Sequence, residues 1–441
     1  MLASKRKRYL SGPDWVINTL DYAMKASTCA GNMSQVALVF DSPVDQEEVR
    51  MRLDRFVRRF PVVAGSVRRD LKLAPYWKIP ASVKRDIRLT VQRADKEAFG
   101  PPFLHHLEQS ANTPFQDDSE HVAFNLVTDG ARSVLSMTFD HRIFDARGAE
   151  LFLDRFQQDL NSGADAAPGD MVFTSSAALS RWSRKFLAGR SVNRRIIGLS
   201  KSAPMALPAD RHGNGRYRYQ LFSFTEQETA DIYNRAYTEA GYLMESPYLL
   251  AVIIQSMHDL FRSKQTTGDS YLIPVTMDLR PGLDPMQEIF FNHVSYLFYQ
   301  IPTREADDRK GLITLLKQQM YDQVKSNFPR DLAEASLLTR IAPLPILGKL
   351  LRLPMKGKMA TFAFSHLGKS SYRHSVFMGK RIESLFHMPR VPVPPGIGFF
   401  SNYFNGRLNL VLSHLDGMLQ DADVVMIEQG IRQRFGVVRE S

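Results

Sequence analysis

The order of strand-like and helix-like segments restricts the possible folds of this sequence more than any other feature. Residues 34–44 are apolar and rich in β-branched side chains, which is typical of a buried strand. Residues 46–60 then carry apolar side chains at positions that share one face of a helix. In the second half, residues 216–224 alternate like a strand, and Thr225 and Glu228 form the capping box of a following helix. Both halves therefore begin with a strand and a helix, which predicts an α/β fold.

Each half is also predicted to contain further strands and a later helix. Residues 120–140 form two strand-like runs around Asp129-Gly130, which is a hairpin signal, and residues 146–160 follow as a helix. Ser246-Pro247 should open another helix as N-cap and first helical residue. The remaining predicted strands lie at 271–282, 292–302, 359–368 and 396–417, and the remaining helices near 309–328 and 421–435. We detect no clear residue-level repeat between the halves, so a duplicated architecture rests on this pattern alone.

The length of the chain favours two domains, or two halves around a cleft. With 441 residues it exceeds the size at which one hydrophobic core usually keeps growing. Pro, Gly and Ser residues between about 163 and 216 indicate a linker, which also carries a basic helix near 176–190. We therefore predict an N-terminal subdomain over residues 1–205 and a C-terminal subdomain over residues 206–441.

Charge and cysteine content restrict the possible partners. The net charge of +11 predicts a surface that attracts anions such as CoA phosphates, acidic carrier proteins or lipid headgroups. We find no nucleic-acid-binding motif and predict no nucleic-acid partner. Because Cys29 is the only cysteine, a disulfide framework or a Cys-rich metal site within the chain is excluded. The sequence also contains no apolar run long enough to span a membrane, so we expect a cytoplasmic protein. Residues 341–358 mix apolar and basic side chains, which fits either weak contact with a membrane surface or a buried helix with a basic rim.

A polar junction between a strand and a helix, within residues 137–156, carries the residues best suited to catalysis. A side chain at the C-terminal end of a strand projects to where α/β clefts usually form. His141 could accept a proton there at neutral pH, and Asp145 could orient the imidazole or pair with a cation. Taken alone, His-x-x-x-Asp more often caps a helix, so the local pattern leaves both interpretations open.

The sequence DHRIFDARGAELFL at this junction resembles the Asp-His-Arg-x-x-Asp-Gly motif of dihydrolipoyl acyltransferases. It is equally similar to the His-His-x-x-x-Asp-Gly motif of the CoA-dependent acyltransferase superfamily, which includes chloramphenicol acetyltransferase, condensation domains of nonribosomal peptide synthetases, alcohol acyltransferases and wax ester synthases. The order of IPVTMDLRPG, FFNHVSYLFYQIP, FAFSHLG and SNYFNGRLNLVLSHLDG along the chain extends the resemblance to most of its length. The resemblance implies two chloramphenicol acetyltransferase-like subdomains, each a mixed sheet flanked by helices, with an active-site tunnel between them. The length favours the two-domain branch over the dihydrolipoyl branch.

The resemblance also implies roles for individual residues. His141 matches the second His of the motif, the general base. Asp145 matches the motif's Asp, which has a structural role, and Arg280 in MDLRPG is the expected partner of that carboxylate. A donor to the reaction's oxyanion should come from the second half, and Ser365, Ser401 and Asn402 are the candidates. Asn292 resembles a family position beside the cleft, although capping the start of a strand would explain it equally well.

The implied activity is transfer of an acyl group from a thioester to an alcohol or amine. The donor would be acyl-CoA or an acyl group on the phosphopantetheine arm of an acidic acyl or peptidyl carrier protein, and the acceptor a small molecule. No metal and no tightly bound cofactor is implied. Two departures from the motif matter: Asp140 replaces the first His, and Ala146 replaces the Gly after Asp145. The alternative is therefore a non-catalytic binding protein that keeps the fold.

Overall fold

Two six-stranded mixed sheets and a three-stranded sheet organise the chain in a computed structural model. The structure describes residues 7–94, 103–162, 182–208, 214–280, 288–350 and 360–437. The strands are β1 (Lys7–Tyr9), β2 (Met33–Phe40), β3 (Ser66–Arg69), β4 (Pro75–Lys78), β5 (Arg88–Arg93), β6 (Val122–Thr128), β7 (Ser133–Asp140), β8 (Tyr217–Ser223), β9 (Ser270–Asp278), β10 (Val294–Pro302), β11 (Ala363–Lys369), β12 (Val376–Phe377), β13 (Lys380–Pro389), β14 (Ile397–Phe404) and β15 (Arg407–Leu415). The helices are α1 (Gly12–Lys25), α2 (Gln46–Arg58), α3 (Phe103–Ala111), α4 (Ala146–Ser162), α5 (Trp182–Leu199), α6 (Glu226–Ala240), α7 (Glu245–Ser263), α8 (Arg309–Lys325), α9 (Phe328–Ser336), α10 (Leu344–Leu350) and α11 (Asp421–Phe435).

The first large sheet has the order β12-β13-β2-β7-β6-β5, and helices α2 and α4 contribute to its core. The predicted hairpin is present, because β6 and β7 pair antiparallel and Gly130 occupies the left-handed region that their turn requires. The predicted apolar face of α2 is buried along its whole length. Phe56 on α2 meets Phe152 on α4 with ring centroids 4.9 Å apart, so the two helices share one aromatic core.

The second large sheet has the order β10-β9-β11-β14-β15-β8. Its long helix α7 is apolar on almost every side and lies buried in the core of this half. Thr225 caps α6 with the predicted capping box, in which Glu228 reaches back to the backbone amide of Thr225. The predicted start of α7 is wrong by two positions, because Met244 is the N-cap and Pro247 lies at the third helical position. A proline is tolerated there because the amides of the first turn have no intrahelical acceptor.

The region predicted as a linker contains a packed helix. The basic helix expected near 176–190 lies at Trp182–Leu199, and residues 163–181 fall outside the described part of the chain. Ala188, Val192 and Leu199 are buried, and α5 packs against α9. Tertiary contact with the second half therefore stabilises this helix, which a reading of local composition could not indicate.

Two strands of the second half, β12 and β13, cross into the first sheet. Strand β13 pairs antiparallel with β2 from Ile382 to Pro389, so that the first sheet takes its edge from residues far along the chain. The two halves are therefore joined by a sheet ladder as well as by side-chain contacts. The division at residues 205 and 206 remains a prediction.

The basic, apolar segment 341–358 is described only in part. Helix α10 buries Leu347, whereas Ile341 and Ile346 are about half exposed. Residues 351–359 lie outside the described ranges, and contact with a membrane surface remains a prediction. Among the helices that the structure describes, none is long and apolar enough to span a bilayer.

Candidate active site

The turn between β7 and α4 is held by the side chain of Asp140. Its carboxylate accepts hydrogen bonds from the backbone amide of Arg142 at 2.9 Å, from the guanidinium of Arg142 at 2.6 Å and from Nδ1 of His121 at 2.8 Å. Burial by itself raises the pKa of Asp140, but Arg142 and His121 hold that pKa well below its ordinary value. Asp140 therefore fixes the backbone that presents His141.

The imidazole of His141 is oriented by Asn292, a residue of the second half. Nδ1 of His141 lies 3.1 Å from Oδ1 of Asn292, and Nδ2 of Asn292 donates to the backbone carbonyl of His141 at 2.8 Å. Because the Asn292 amide group donates through Nδ2, its oxygen must face the ring, and Nδ1 of His141 must carry the proton. Nε2 of the neutral ring is then left with a free lone pair, which is the state that a general base requires.

Asn292 is itself held by contacts from the beginning of the chain. Its backbone amide donates to Oδ1 of Asp14 on α1 at 3.0 Å, and Asp14 pairs with Arg8 at 2.7 Å. The preceding residue, Phe291, is buried with φ of 73°, in the left-handed region that is strained for an aromatic residue. A backbone bridge between Phe144 and Phe291 keeps this conformation. The strained backbone therefore lies at the residue directly before Asn292, which contacts His141.

Asp145 and Arg280 are in contact. The guanidinium of Arg280 donates to Oδ1 of Asp145, and the backbone amides of Gly148 and His293 donate to the same carboxylate at 2.9 and 3.0 Å. Burial raises the pKa of Asp145, but the opposing effects of Arg280 and the two amides keep it below its ordinary value. Both side chains are more than nine-tenths buried, and this pair joins the two halves in the wall of the cavity.

A cavity of about 110 Å³ lies between the halves, and all six predicted site residues line it together with Ala146. The side chains of the three oxyanion candidates already have hydrogen-bond partners. Ser365 Oγ lies 2.6 Å from Thr276 Oγ1, Ser401 Oγ lies 2.8 Å from His366 Nδ1, and Asn402 Nδ2 donates to the carbonyl of Leu385 at 2.9 Å. Their roles therefore stay predictions, because the contacts do not single one of them out.

Gly148 lies where the structure leaves no room for a side chain. A Cβ atom added to Gly148 would lie 2.2 Å from the backbone oxygen of Ile289, so this position accepts no side chain without a backbone shift. Ala146, at the first position of α4, is one of the residues that line the cavity.

Sequence reasoning missed several residues of this region. Asp14, Glu150, His387 and the Glu245–His366 contact of 3.5 Å gave no local signal, because each partner lies far from the other in sequence. For Asn292, the sequence left a cap and a site role equally open, and the structure places its side chain in contact with His141.

Comparison with solved structures finds similar proteins, whereas the comparisons of sequence find none. Neither a scan against protein-family models nor a search of curated proteins finds a match. Among solved structures, the trichothecene 15-O-acetyltransferase of Fusarium sporotrichioides aligns with a TM-score of 0.71 at 13% identity, over 97% of this chain and 95% of that one. The first condensation domain of the CDA synthetase aligns with a TM-score of 0.66 at 12% identity, over 97% of this chain and 95% of that one. The EpoB cyclization-docking bidomain of Sorangium cellulosum aligns with a TM-score of 0.69 at 12% identity, over 99% of this chain and 87% of that one.

The chain has the fold of the CoA-dependent acyltransferase superfamily. The predicted architecture of two lobes, each a mixed sheet flanked by helices, is thereby confirmed. At these identities the likeness concerns the acyltransferase fold alone. What the chain does must be argued from its own cavity.

Proposed function

We propose that this protein is an acyltransferase in which His141 is the general base. In the proposed reaction, Nε2 of His141 removes the proton from an alcohol or amine as that atom attacks the carbonyl carbon of an acyl thioester. The carbon–sulfur bond of the resulting tetrahedral intermediate then breaks, and the proton passes from His141 to the leaving thiolate. Two products result, the acylated acceptor and the free thiol.

The observation that carries the proposal is the position of His141 in the cavity between the lobes. Asn292 fixes the tautomer that leaves Nε2 unprotonated, and no hydrogen bond occupies Nε2 among the described residues. His121, by contrast, uses both ring nitrogens in buried contacts with Asp140 and Gly65. An acetyltransferase and condensation domains with this fold support the same reaction class.

The donor is proposed to be a thioester of a phosphopantetheine arm, carried either by CoA or by an acidic carrier protein. Both carry negative charge, and the net charge of +11 on this chain would favour their approach. The acceptor is proposed to be a small molecule with a hydroxyl or amino group. The chemistry of the cavity needs no metal or tightly bound cofactor for this reaction.

Mass spectrometry of reactions with a panel of thioesters tests the proposal. The purified protein is incubated with acyl-CoAs of increasing chain length, or with acyl groups loaded on a carrier protein, and with alcohol or amine acceptors. We expect release of free thiol together with an acceptor that has gained the mass of the acyl group. If no donor in the panel releases thiol faster than in buffer, a binding protein that keeps the fold becomes the better explanation.

Asn292→Asp should move the pH profile of the transfer rate. A carboxylate beside Nδ1 favours the protonated imidazole of His141, so the acidic limb of the kcat/KM profile should shift to higher pH. We expect a rate about tenfold lower on the acidic limb, a smaller loss at neutral pH and recovery at alkaline pH, as for a shift of about one pH unit. Stopped-flow measurements of thiol release over a range of pH values test this shift. An equal loss at every pH would show that Asn292 contributes to folding rather than to the state of the base.

Ala146→Val should restrict the acyl groups that the cavity accepts. The two added carbon atoms enter a cavity of about 110 Å³, and a change of one methylene in such a site typically alters kcat/KM by about 10–200-fold. Ala146→Gly is the matched control and should shift the preference toward bulkier acyl groups. Competition between short and long acyl thioesters measures both variants. An unchanged preference in both would contradict a position of Ala146 on the acyl path.

A further inference from the structure

A second cavity, of about 440 Å³, is enclosed by residues of α5, β10 and α8. Its volume falls within the range of about 300–1,000 Å³ that is usual for small-molecule sites. None of the described residues lines both this cavity and the one that contains His141. A ligand in the second cavity would therefore be separate from the proposed acyl transfer.

One wall of this cavity is a face of α5 that carries small and cationic residues. Ser191, Arg194, Arg195 and Gly198 are spaced at i, i+3, i+4 and i+7, so they share that face. On a helix with 3.6 residues per turn, the two small residues lie between the two arginines. A Cβ atom added to Gly198 would meet nothing within 4 Å, so the centre of this wall is open space.

The two arginines have no counter-charge in the described part of the chain. Neither Arg194 nor Arg195 forms an ion pair there, and no acidic residue is found among the described residues that line the cavity. Arg195 is partly buried, and this burial lowers the pKa of its guanidinium against a smaller opposing effect of Asp322. A cation that has lost water without gaining a partner is stabilised when an anion binds beside it.

The α5 side chains of this cavity offer hydrogen-bond donors that the protein does not use. Nη2 of Arg195 donates to a backbone carbonyl of β10 at 3.3 Å. Its Nη1 keeps accessible surface and makes no hydrogen bond with the described residues, whereas its Nε is buried and out of reach. The side chains of Arg194 and Ser191 also lack partners within the described ranges. By contrast, the amide groups of Gln319 and Gln323 on the opposite wall are paired with the backbone of β10.

We propose that this cavity binds the phosphate group of a small molecule. A phosphate carries about two negative charges and three acceptor oxygens, so it can receive donors from several directions. Arg194 and Nη1 of Arg195 would each contact one oxygen, and the hydroxyl of Ser191 would contact another. A carboxylate has two oxygens in one plane and matches these three donors less well. Inorganic phosphate and a phosphate ester such as a nucleotide both carry the required group.

Calorimetric titration of the full chain with inorganic phosphate, ADP and adenosine, in a chloride buffer, tests the site. We expect an anionic probe to bind and adenosine not to bind, because adenosine has no phosphate. Tighter binding of ADP would identify a phosphate ester as the ligand, and binding of phosphate at least as tight would identify inorganic phosphate; both results support the site. If neither anion bound, or if succinate bound as tightly as the better of them, the inference would be overturned.

Arg195→Gln and Arg184→Gln form a matched pair of variants. Each removes one positive charge from α5, but only Arg195 lines the cavity, and Arg184 is exposed elsewhere on the helix. We expect R195Q to bind the better probe about 10–100-fold more weakly, as for one lost charge-assisted hydrogen bond, and R184Q to bind it within about twofold of the wild type. Equal losses in the two variants would indicate non-specific attraction to a basic surface and would overturn the site.

Gly198→Leu fills the cavity and leaves the charge of the chain unchanged. The variant should unfold near the wild-type temperature, since the added Cβ atom meets no other group and leucine favours a helix more than glycine does. We expect G198L to lose binding of the probe, because its side chain occupies the space between the two arginines. Thermal unfolding is measured beside each titration. A folded G198L that bound the probe as tightly as the wild type would contradict binding in this cavity.

Discussion

His141→Ala is expected to lower kcat for acyl transfer by about 10²–10⁴-fold, the usual contribution of a positioned general base. The attacking hydroxyl or amine would keep its place in the cavity but would have no group to accept its proton. Because His141 is only partly buried and contacts the second half mainly through Asn292, the variant should unfold near the wild-type temperature. Thiol release and acylated product should fall together.

The control for this measurement is His105→Ala. His105 is an exposed residue of α3 whose ring contacts Gln109 and lies away from the cavity. Its rate should equal that of the wild type. If H141A and H105A transferred acyl groups equally fast, another group would be the base and the proposed mechanism would be wrong.

Arg280→Met is expected to reduce the free energy of unfolding by about 3–5 kcal/mol, because it leaves the buried carboxylate of Asp145 without its counter-charge. The amides of Gly148 and His293 would remain as hydrogen-bond donors, but they carry no full charge. Urea unfolding at neutral pH measures the loss. The double variant with Asp145→Asn should be more stable than R280M alone, since no buried charge is then unpaired.

The pH dependence of this loss follows from the lowered pKa of Asp145. A carboxyl group whose pKa is lower in the folded state stabilises the fold at pH values above its unfolded-state pKa of about 4. That stabilisation disappears as the pH falls through the folded-state pKa. The difference between wild type and R280M should therefore be largest near neutral pH and shrink in acid. A loss below about 1 kcal/mol at neutral pH would mean that the pair behaves like an exposed salt bridge.

Local sequence patterns predicted those parts of the fold that depend on neighbouring residues. The capping box of Thr225, the hairpin at Gly130 and the buried face of α2 each involve groups within a few positions of one another. Their geometry follows from backbone and side-chain chemistry within one turn or one strand pair. The start of α7 was misplaced because Ser246 and Pro247 are tolerated at several positions of a first turn.

Local sequence patterns could not predict the elements whose position depends on distant partners. The crossing of β13 into the first sheet and the packing of α5 on α9 both bring together residues more than a hundred positions apart. Neither segment carries a pattern that names its partner, since a strand edge or an apolar helix face can pair with many others. The motif's resemblance supplied Arg280 as the partner of Asp145, which spacing alone could not have done.

The sequence by itself determined the α/β order of elements and the strand-to-helix junction that carries His141 and Asp145. Tertiary structure alone decided which tautomer His141 adopts, because that depends on Asn292, whose own position depends on Asp14. It likewise decided that His387 faces Glu150, 237 positions away, with no hydrogen bond to its other ring nitrogen from the residues that the structure describes. The protonation state of a buried side chain is set by whatever charge and hydrogen-bond partners folding brings beside it, and those partners have no fixed place in the sequence.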